Sequence, residues 1–548
     1  MKQYLSRLFI ALVLVSQTIL LSPFVSVAAP QRLRRVDLIV SGGMVVTMDK
    51  DRRVIEDGAV AVERGRIVAV GKSSEIARQY AAREVINATG RAVVPGLING
   101  HTHVPMTLFR GIADDLDLNE WLTKYIFPAE AKNVTEDFVR VGAQLGLAEM
   151  IRGGTTTYCD MYYFEDAVAD ETQRAGVRGV LGETVIDFPV PDNKTWADAM
   201  RYTDNFVQKW KGNVLVTPAI APHAPYTVNE AHLREVKAFS DRTGAPIVTH
   251  VAETRKEVED ISRDHGARPV EYLARIGFLG PRDIFAHTVH LTEGEITLLK
   301  ENGVGSVHNP QSNMKLGSGV APVPQMLRAG VAVGLGTDGA ASNNDLDMWE
   351  EMDTAAKLHK VATFDPKVIS AEEAFTMATI EGARALHMDA DIGSLEAGKR
   401  ADIVVVDLDS LHQTPRYNIF SNLVYATKAS DVRTVVIEGR VVMRDRRLLT
   451  LNEELIKQKA RLLRERVSRS LSALRPNAEP KTDGETGRQG DGAMLDHATS
   501  FSPSPRLSVS PSPRLKIVAC GVERRGGRGH NRVASYVVSE KASNNARF

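Results

Sequence analysis

The residues most able to do chemistry begin with "PGLINGHTHVPMTLFRG", Pro95 to Gly111, where His101 and His103 stand one residue apart behind an apolar run. On an extended strand, side chains two apart point the same way, so both imidazoles share a face. Polar or ionisable residues recur after other apolar runs: His223 in "APHAPYT", His250 and Glu253 in "THVAET", His287 in "AHTVHL", His308 in "SVHNP" and Asp338 in "GTDGAASNND". Each stands where a buried strand would normally end in an apolar side chain. Several at equivalent places point to one shared site. The chain has only two cysteines, Cys159 and Cys520, which excludes a cysteine-built zinc site or a disulfide framework. A metal here must be held by histidine and carboxylate. Cys159, within "TYCDMYY", reads as a small core residue rather than a nucleophile.

Such a site needs elements that bring distant segments together. Between about 96 and 386, apolar strand candidates alternate with amphipathic helical stretches such as "NEAHLREVKAFSDRTG". The candidates run from "GLINGHTH" and "TTTYCDMYY" to "VAVGLGTDG". Near-continuous apolar strands alternating with helices imply a parallel sheet covered by helices. About eight strands over roughly 290 residues suit an α/β (β/α)₈ TIM barrel, whose catalytic groups sit at the C-terminal strand ends. A doubly wound open sheet is the runner-up. Residues 36–95 and 387–450 share a different texture, with short β-branched runs broken by glycine and charged turns. They predict a small composite β-sandwich built from both flanks of the barrel.

The ends of the chain read differently. Residues 1–28 carry Lys2 and Arg7, then "LFIALVLVSQTILL", then small residues ending at Ala28. This is the pattern of an export signal, and it predicts a periplasmic or secreted protein with no membrane attachment after signal removal. An uncleaved anchor is the alternative, although the apolar run falls short of the ~20 residues needed to span a bilayer. Residues 452–475 predict a charged amphipathic helix. Residues 476–548, with SPSPRL twice, predict a disordered tail. The 68 basic and 68 acidic residues balance, which gives no footing for a polyanionic partner such as nucleic acid. A homo-oligomer is compatible with the sequence.

Together, "PGLINGHTH", "HVAE", "AHTVH", "HNPQSNMKLGSG" and "GTDGAASNN" resemble the amidohydrolase superfamily. They are most similar to its one-metal deaminase branch, which holds the 5-methylthioadenosine/S-adenosylhomocysteine deaminases and the s-triazine chlorohydrolases. The resemblance covers about residues 36–450. It implies His101, His103, His250 and Asp338 as metal ligands, with His287 beside the metal-bound water. The segment "VLVTPAIAPHAPYT" has no lysine to bridge a second metal, so one Zn²⁺ is expected, with Fe²⁺ also allowed by the ligand types. A catalytic zinc lowers the pKa of bound water to about 7, which supplies a hydroxide nucleophile. Asp338 is then the family's candidate base. Glu253, three residues beyond a ligand, suits protonation of a ring nitrogen, and His287 suits orientation of the attack.

The implied substrate is an adenosine-type nucleoside or a related amino-heterocycle, which releases ammonia. By the resemblance, Glu130 would bind ribose hydroxyls and His223 would contact substrate. Trp121 and Phe109, in "MTLFRGIADDLDLNEWLTKYIFPAE", are candidates to cover an aromatic ring. Where the adenosine deaminases of this branch place an arginine for the homocysteine carboxylate, this chain has Glu183, expected to repel it. Lys194 is the nearest substitute for a second arginine. Hydrolysis of another C–N bond or of a C–Cl bond, as by a triazine hydrolase or cyclic amidase, is the alternative activity. A non-catalytic binding protein is a third reading, disfavoured because Glu253 and Asp338 are both present.

Overall fold

The computed structural model describes residues 32–472. The expected export signal (1–28) and tail (476–548) lie outside the described residues, as does the whole of the second compact unit, Glu479–Phe548. Among the described residues, no helix is long and apolar enough to cross a membrane.

Five strands precede the barrel: β1 (Arg34–Val46), β2 (Val54–Glu63), β3 (Arg66–Lys72), β4 (Tyr80–Asn87) and β5 (Arg91–Pro95). The barrel strands are β6 (Leu97–Thr102), β7 (Thr155–Tyr162), β8 (Arg178–Val185), β9 (Val216–Pro222), β10 (Ile247–Val251), β11 (Asp283–His287), β12 (Gly305–His308) and β13 (Val333–Leu335). Four more follow: β14 (Ile403–Asp407), β15 (Val432–Ile437), β16 (Arg440–Arg444) and β17 (Arg447–Leu448).

Strands β6 to β13 pair in sequence order as one eight-stranded parallel sheet with helices between them, a (β/α)₈ barrel. Every residue of β6, β7 and β8 is buried, as a parallel sheet walled by helices requires. The first and last strands meet through side chains and loops. Asn99 Nδ2 donates to Thr337 Oγ1 (2.8 Å), Thr337 N–H donates to Asn99 Oδ1 (3.0 Å), and Asp338 N–H donates to the His101 carbonyl (2.9 Å). Gly336 permits this seam: a Cβ there would stand 2.7 Å from the His101 backbone nitrogen. The register that closes the barrel therefore also sets Asp338 beside His101.

The flanking strands form one nine-stranded sheet rather than two separate hydrogen-bonded layers. Its two halves join where β5 pairs antiparallel with β14, from Ile403↔Pro95 to Asp407↔Arg91. β5 runs directly into β6, so this sheet anchors the strand that carries His101. The helix Glu453–Ser472 packs on helices Phe127–Asn133 and Glu136–Gly153, and Asn133 Nδ2 donates to Ser470 Oγ (2.8 Å). It braces the segment that bears Glu130.

Candidate metal centre and active site

His101, His103, His250, His287 and Asp338 converge at the C-terminal mouth of the barrel. Two sets of three, His101/His103/Asp338 and His101/His250/His287, each have their donor atoms within 4.8 Å of one another. His103 Nε2 lies 3.3 Å from His250 Nε2 and 3.2 Å from Asp338 Oδ1, and His101 Nε2 lies 3.5 Å from the same oxygen.

Backbone and side-chain acceptors fix which ring nitrogen faces inward. His103 Nδ1–H donates to the Met161 carbonyl (2.6 Å), and His250 Nδ1–H donates to the His223 carbonyl (2.7 Å). Their Nε2 atoms are thereby turned toward each other, as partners behind a metal-binding histidine do. Two ring nitrogens at this separation need a proton or a metal ion between them. His101 is fully buried, and neither of its ring nitrogens has a hydrogen-bond partner. An orphaned buried imidazole is costly in a dry core and is satisfied by a metal. Donors 3.2 to 3.5 Å apart are close enough to share one ion. The donor set fits one divalent ion held by neutral nitrogen and carboxylate.

Surrounding residues hold each donor in place. Asp338 Oδ2 accepts from Ser312 Oγ (2.6 Å) and Ser342 Oγ (2.9 Å), while Gly339 N–H reaches Oδ1 (2.7 Å). His287 Nδ1 meets Asn313 Oδ1 at 2.9 Å. Asp160 Oδ1 accepts from the Thr102 hydroxyl (2.5 Å) and the Val104 N–H (2.7 Å), which pins the chain on both sides of His103. Ala252, His287 and Asp338 are non-glycine residues with φ of +54°, +71° and +62°. Each such conformation costs on the order of 1–3 kcal/mol, strain of a kind that collects at functional sites.

Burial shapes the acid–base character. Burial raises the Glu253 carboxyl above the usual carboxylate range; its neighbours are Ser318 Oγ (3.4 Å) and His287 Nε2 (3.8 Å). Burial lowers His223 to about 3, so its ring is neutral; its Nδ1 lies 3.0 Å from Thr227 Oγ1. For His103, burial opposes the charge, but Asp338 outweighs it and lifts the group to about 9. His101 is pushed down to about 4, chiefly by burial. A zinc ligand must be neutral imidazole, so below pH 9 a metal has to displace the His103 proton. Loading the stripped protein at pH 7 is expected to release about one proton, and apparent affinity should rise about tenfold per pH unit toward pH 9. Calorimetric titration in buffers of different ionisation heat counts that proton, and a count of zero contradicts the assignment.

Next to the cage lies a pocket lined by Trp121, Phe127, Glu130, His223 and Glu253, with no lysine or arginine in its wall. Trp121 begins a π-helical turn, Trp121–Ile126, a local irregularity common at functional sites. Glu130 is buried, accepts from Tyr162 Oη (2.8 Å), and is raised to about 7 by burial. The structure thus brings His101, His103, His250, His287 and Asp338 together at the cage and sets Trp121, Glu130, His223 and Glu253 in the pocket beside it.

Other expectations are corrected. Phe109 is fully buried against Phe138, at 4.9 Å between ring centroids, and does not reach the pocket; Phe127 supplies the aromatic wall. Glu183 does not face substrate either. It is buried, with its oxygens accepting from Glu165 N–H (3.0 Å) and Asn193 Nδ2 (3.3 Å), while the next residue on β8, Thr184, lines the pocket. Lys194 Nζ is bound to the carbonyls of Val190 (2.7 Å) and Pro191 (3.3 Å). His308 turns away and meets His359 Nε2 at 3.1 Å. Sequence reasoning passed over Ser312, Ser342, Asn313 and Tyr162. All four lie within quoted stretches, and for Ser312, Asn313 and Ser342 small polar residues after a strand were the available signal.

Residues 92–442 match the amidohydrolase family model, and residues 58–82 match an imidazolonepropionase-like composite domain of bacteria. The chain is 50% identical over 429 residues to a 5-methylthioadenosine/S-adenosylhomocysteine deaminase of Syntrophobacter fumaroxidans, covering 78% of this chain and 98% of the relative. An adenosine deaminase from Xanthomonas campestris, solved with bound zinc, is 40% identical with a TM-score of 0.79, covering 80% of this chain and all of that one. An atrazine chlorohydrolase from Arthrobacter aurescens, solved with zinc, shares the fold at a TM-score of 0.73 and 24% identity, covering 78% of this chain and all of that one.

Proposed function

Because the chain belongs to the amidohydrolase family, we propose that its barrel mouth deaminates neutral adenine ribosides of the 5-methylthioadenosine type. It is a metal-dependent hydrolase that breaks C–N bonds and releases ammonia. The observation that carries the substrate reading is one pocket at the donor cage, with the buried Glu253 and a ribose-side carboxylate, Glu130, and no lysine or arginine in its wall.

When bound, a zinc supplies a water acidified to near neutrality. The chain's own groups then handle protons. Glu253, whose carboxyl burial raises, gives its proton to the ring nitrogen beside the amino-bearing carbon, which makes that carbon electrophilic. Asp338 takes one proton from the attacking water and passes it to the amine. The C–N bond breaks, ammonia leaves, and the remaining hydroxyl proton returns to Glu253 as the carbonyl forms. His287, held by Asn313, orients the attack, and His223 accepts or donates at the substrate edge in its neutral form.

The wall nearest the cage has no lysine or arginine and suits the neutral methylthio group of methylthioadenosine, while Arg255, Lys256 and Arg263 line the adjoining pocket that shares Leu118, Leu122 and Tyr226. Glu183, turned away, repels no substrate carboxylate. Ionised Glu130 accepts from two vicinal hydroxyls; with burial raising it to about 7, that form prevails above neutrality. Each hydrogen bond to a charged group is worth roughly 1.5–3 kcal/mol. Glu130→Gln is therefore expected to raise KM for methylthioadenosine by about 10- to 100-fold and to leave a 2′,3′-dideoxy analogue unaffected. Steady-state ammonia release on both compounds checks this; equal losses on the two would remove Glu130 from the ribose.

A further inference from the structure

We propose that Glu257 is a positioning residue that aims the Glu253 carboxyl; the inference rests on reading Glu253 as the ring-protonating acid. Glu257 sits in the first turn of the helix Arg255–His265, whose N-cap Thr254 accepts from the Glu257 N–H (3.1 Å). In a capping box its side chain would return to the Thr254 N–H. It reaches further back: its two oxygens accept from Ala252 N–H (2.7 Å) and Glu253 N–H (2.8 Å). Those amides belong to the turn that leaves β10, where Ala252 is held in the left-handed region.

This clamp closes a ring around the acid. The Ala252 carbonyl accepts from Val289 N–H and His290 N–H, both at 3.0 Å, and the Val251 carbonyl accepts from Thr288 N–H (3.1 Å). His290 Nε2–H donates to the Ser318 carbonyl (2.8 Å), and Ser318 Oγ donates to Glu253 Oε1 (3.4 Å). Glu253 is thus tied through its backbone to Glu257 and through its side chain to a loop that the same turn supports. His287, one residue before Thr288, is joined to the same turn. Both Glu257 oxygens meet N–H donors, which favours the carboxylate form against the burial that raises its carboxyl to about 8, whereas an amide offers one acceptor and a competing donor. Glu257→Gln therefore loosens the turn without emptying the space.

The test uses the metal-replete full chain with methylthioadenosine. Glu257→Gln is expected to keep its metal and its melting temperature, to hold KM within about twofold, and to lower kcat by about 10- to 100-fold. Placed in a Glu253→Gln background, it should add no further loss, because a side chain that no longer delivers the proton gains nothing from being aimed. Hydrogen exchange of the Ala252 and Glu253 amides should quicken in Glu257→Gln and stay unchanged in Glu253→Gln. An unchanged kcat, an equal loss in both backgrounds, or loss of metal or fold in Glu257→Gln overturns the proposal. Should the parent protein release no ammonia while those amides still quicken, the functional reading fails and the clamp on Glu253 stands.

Discussion

Glu253→Gln is expected to lower kcat for methylthioadenosine by about 10³-fold while the protein keeps one equivalent of metal and its melting temperature. The size follows from what the carboxyl does. It touches none of the cage donors at bonding distance, so its loss should not empty the cage. It stands 3.8 Å from His287 and 3.4 Å from the Ser318 hydroxyl, buried and facing the substrate pocket. Glutamine fills the same volume but cannot deliver a proton to a ring nitrogen. The pH dependence follows from the same burial. A raised carboxyl pKa keeps the acid protonated further toward neutrality, so the kcat limb that requires this proton is full at low pH and falls as pH rises through the raised value. That limb should vanish in the variant. Parallel kinetics and elemental analysis check both parts; turnover at the parental rate would remove Glu253 from proton transfer.

His101→Leu is expected to abolish metal binding and lower turnover by at least about 10⁴-fold, yet leave the metal-free fold as stable as the parent or more so. His101 is fully buried with both ring nitrogens unpartnered. Without a metal, that imidazole pays a desolvation cost of about 1–3 kcal/mol against only the 3.5 Å approach of Asp338 Oδ1, and leucine removes the cost. With a cation, the parent gains stability by linkage, about 4.1 kcal/mol at a thousandfold excess over Kd, and the variant does not. Melting curves with and without zinc should therefore cross: the variant at or above the parent when stripped, and well below it when loaded. A variant that still shifts with zinc would place the ion elsewhere.

Much of this architecture was legible because the physics is local. His101 and His103 share a face by strand periodicity, and Glu253 follows His250 by three residues across a strand end. Asp338 closes an apolar run that could only be a buried strand. The composite sheet could be inferred from texture alone, although the pairing of Pro95 with Ile403 joins residues about 300 positions apart. What failed depended on orientation at single-residue resolution. Glu183 and Thr184 are neighbours on β8, and one step along a strand exchanges the pocket for the interior. Phe109 and Phe127 lie in one irregular segment, and Phe109 packs inward on Phe138 while Phe127, just after a π-helical turn, lines the pocket. His308 ends a barrel strand as the ligands do, but it turns to His359, a partner that no local pattern announces. The groups that hold the cage, Ser312 and Asn313 on the short helix Pro310–Lys315 and Ser342 in a turn, are ordinary polar residues until the fold brings them to Asp338 and His287.

The central claim is that deamination depends on a single cation held by His101, His103, His250 and Asp338. The direct measurement is ammonia release from 5-methylthioadenosine by chelator-stripped, fully folded protein as zinc is titrated back. The account predicts no release from the stripped protein, a linear return of activity, and a sharp break at one equivalent per chain. Full activity in protein shown to be free of metal, or a break at two equivalents, would contradict it.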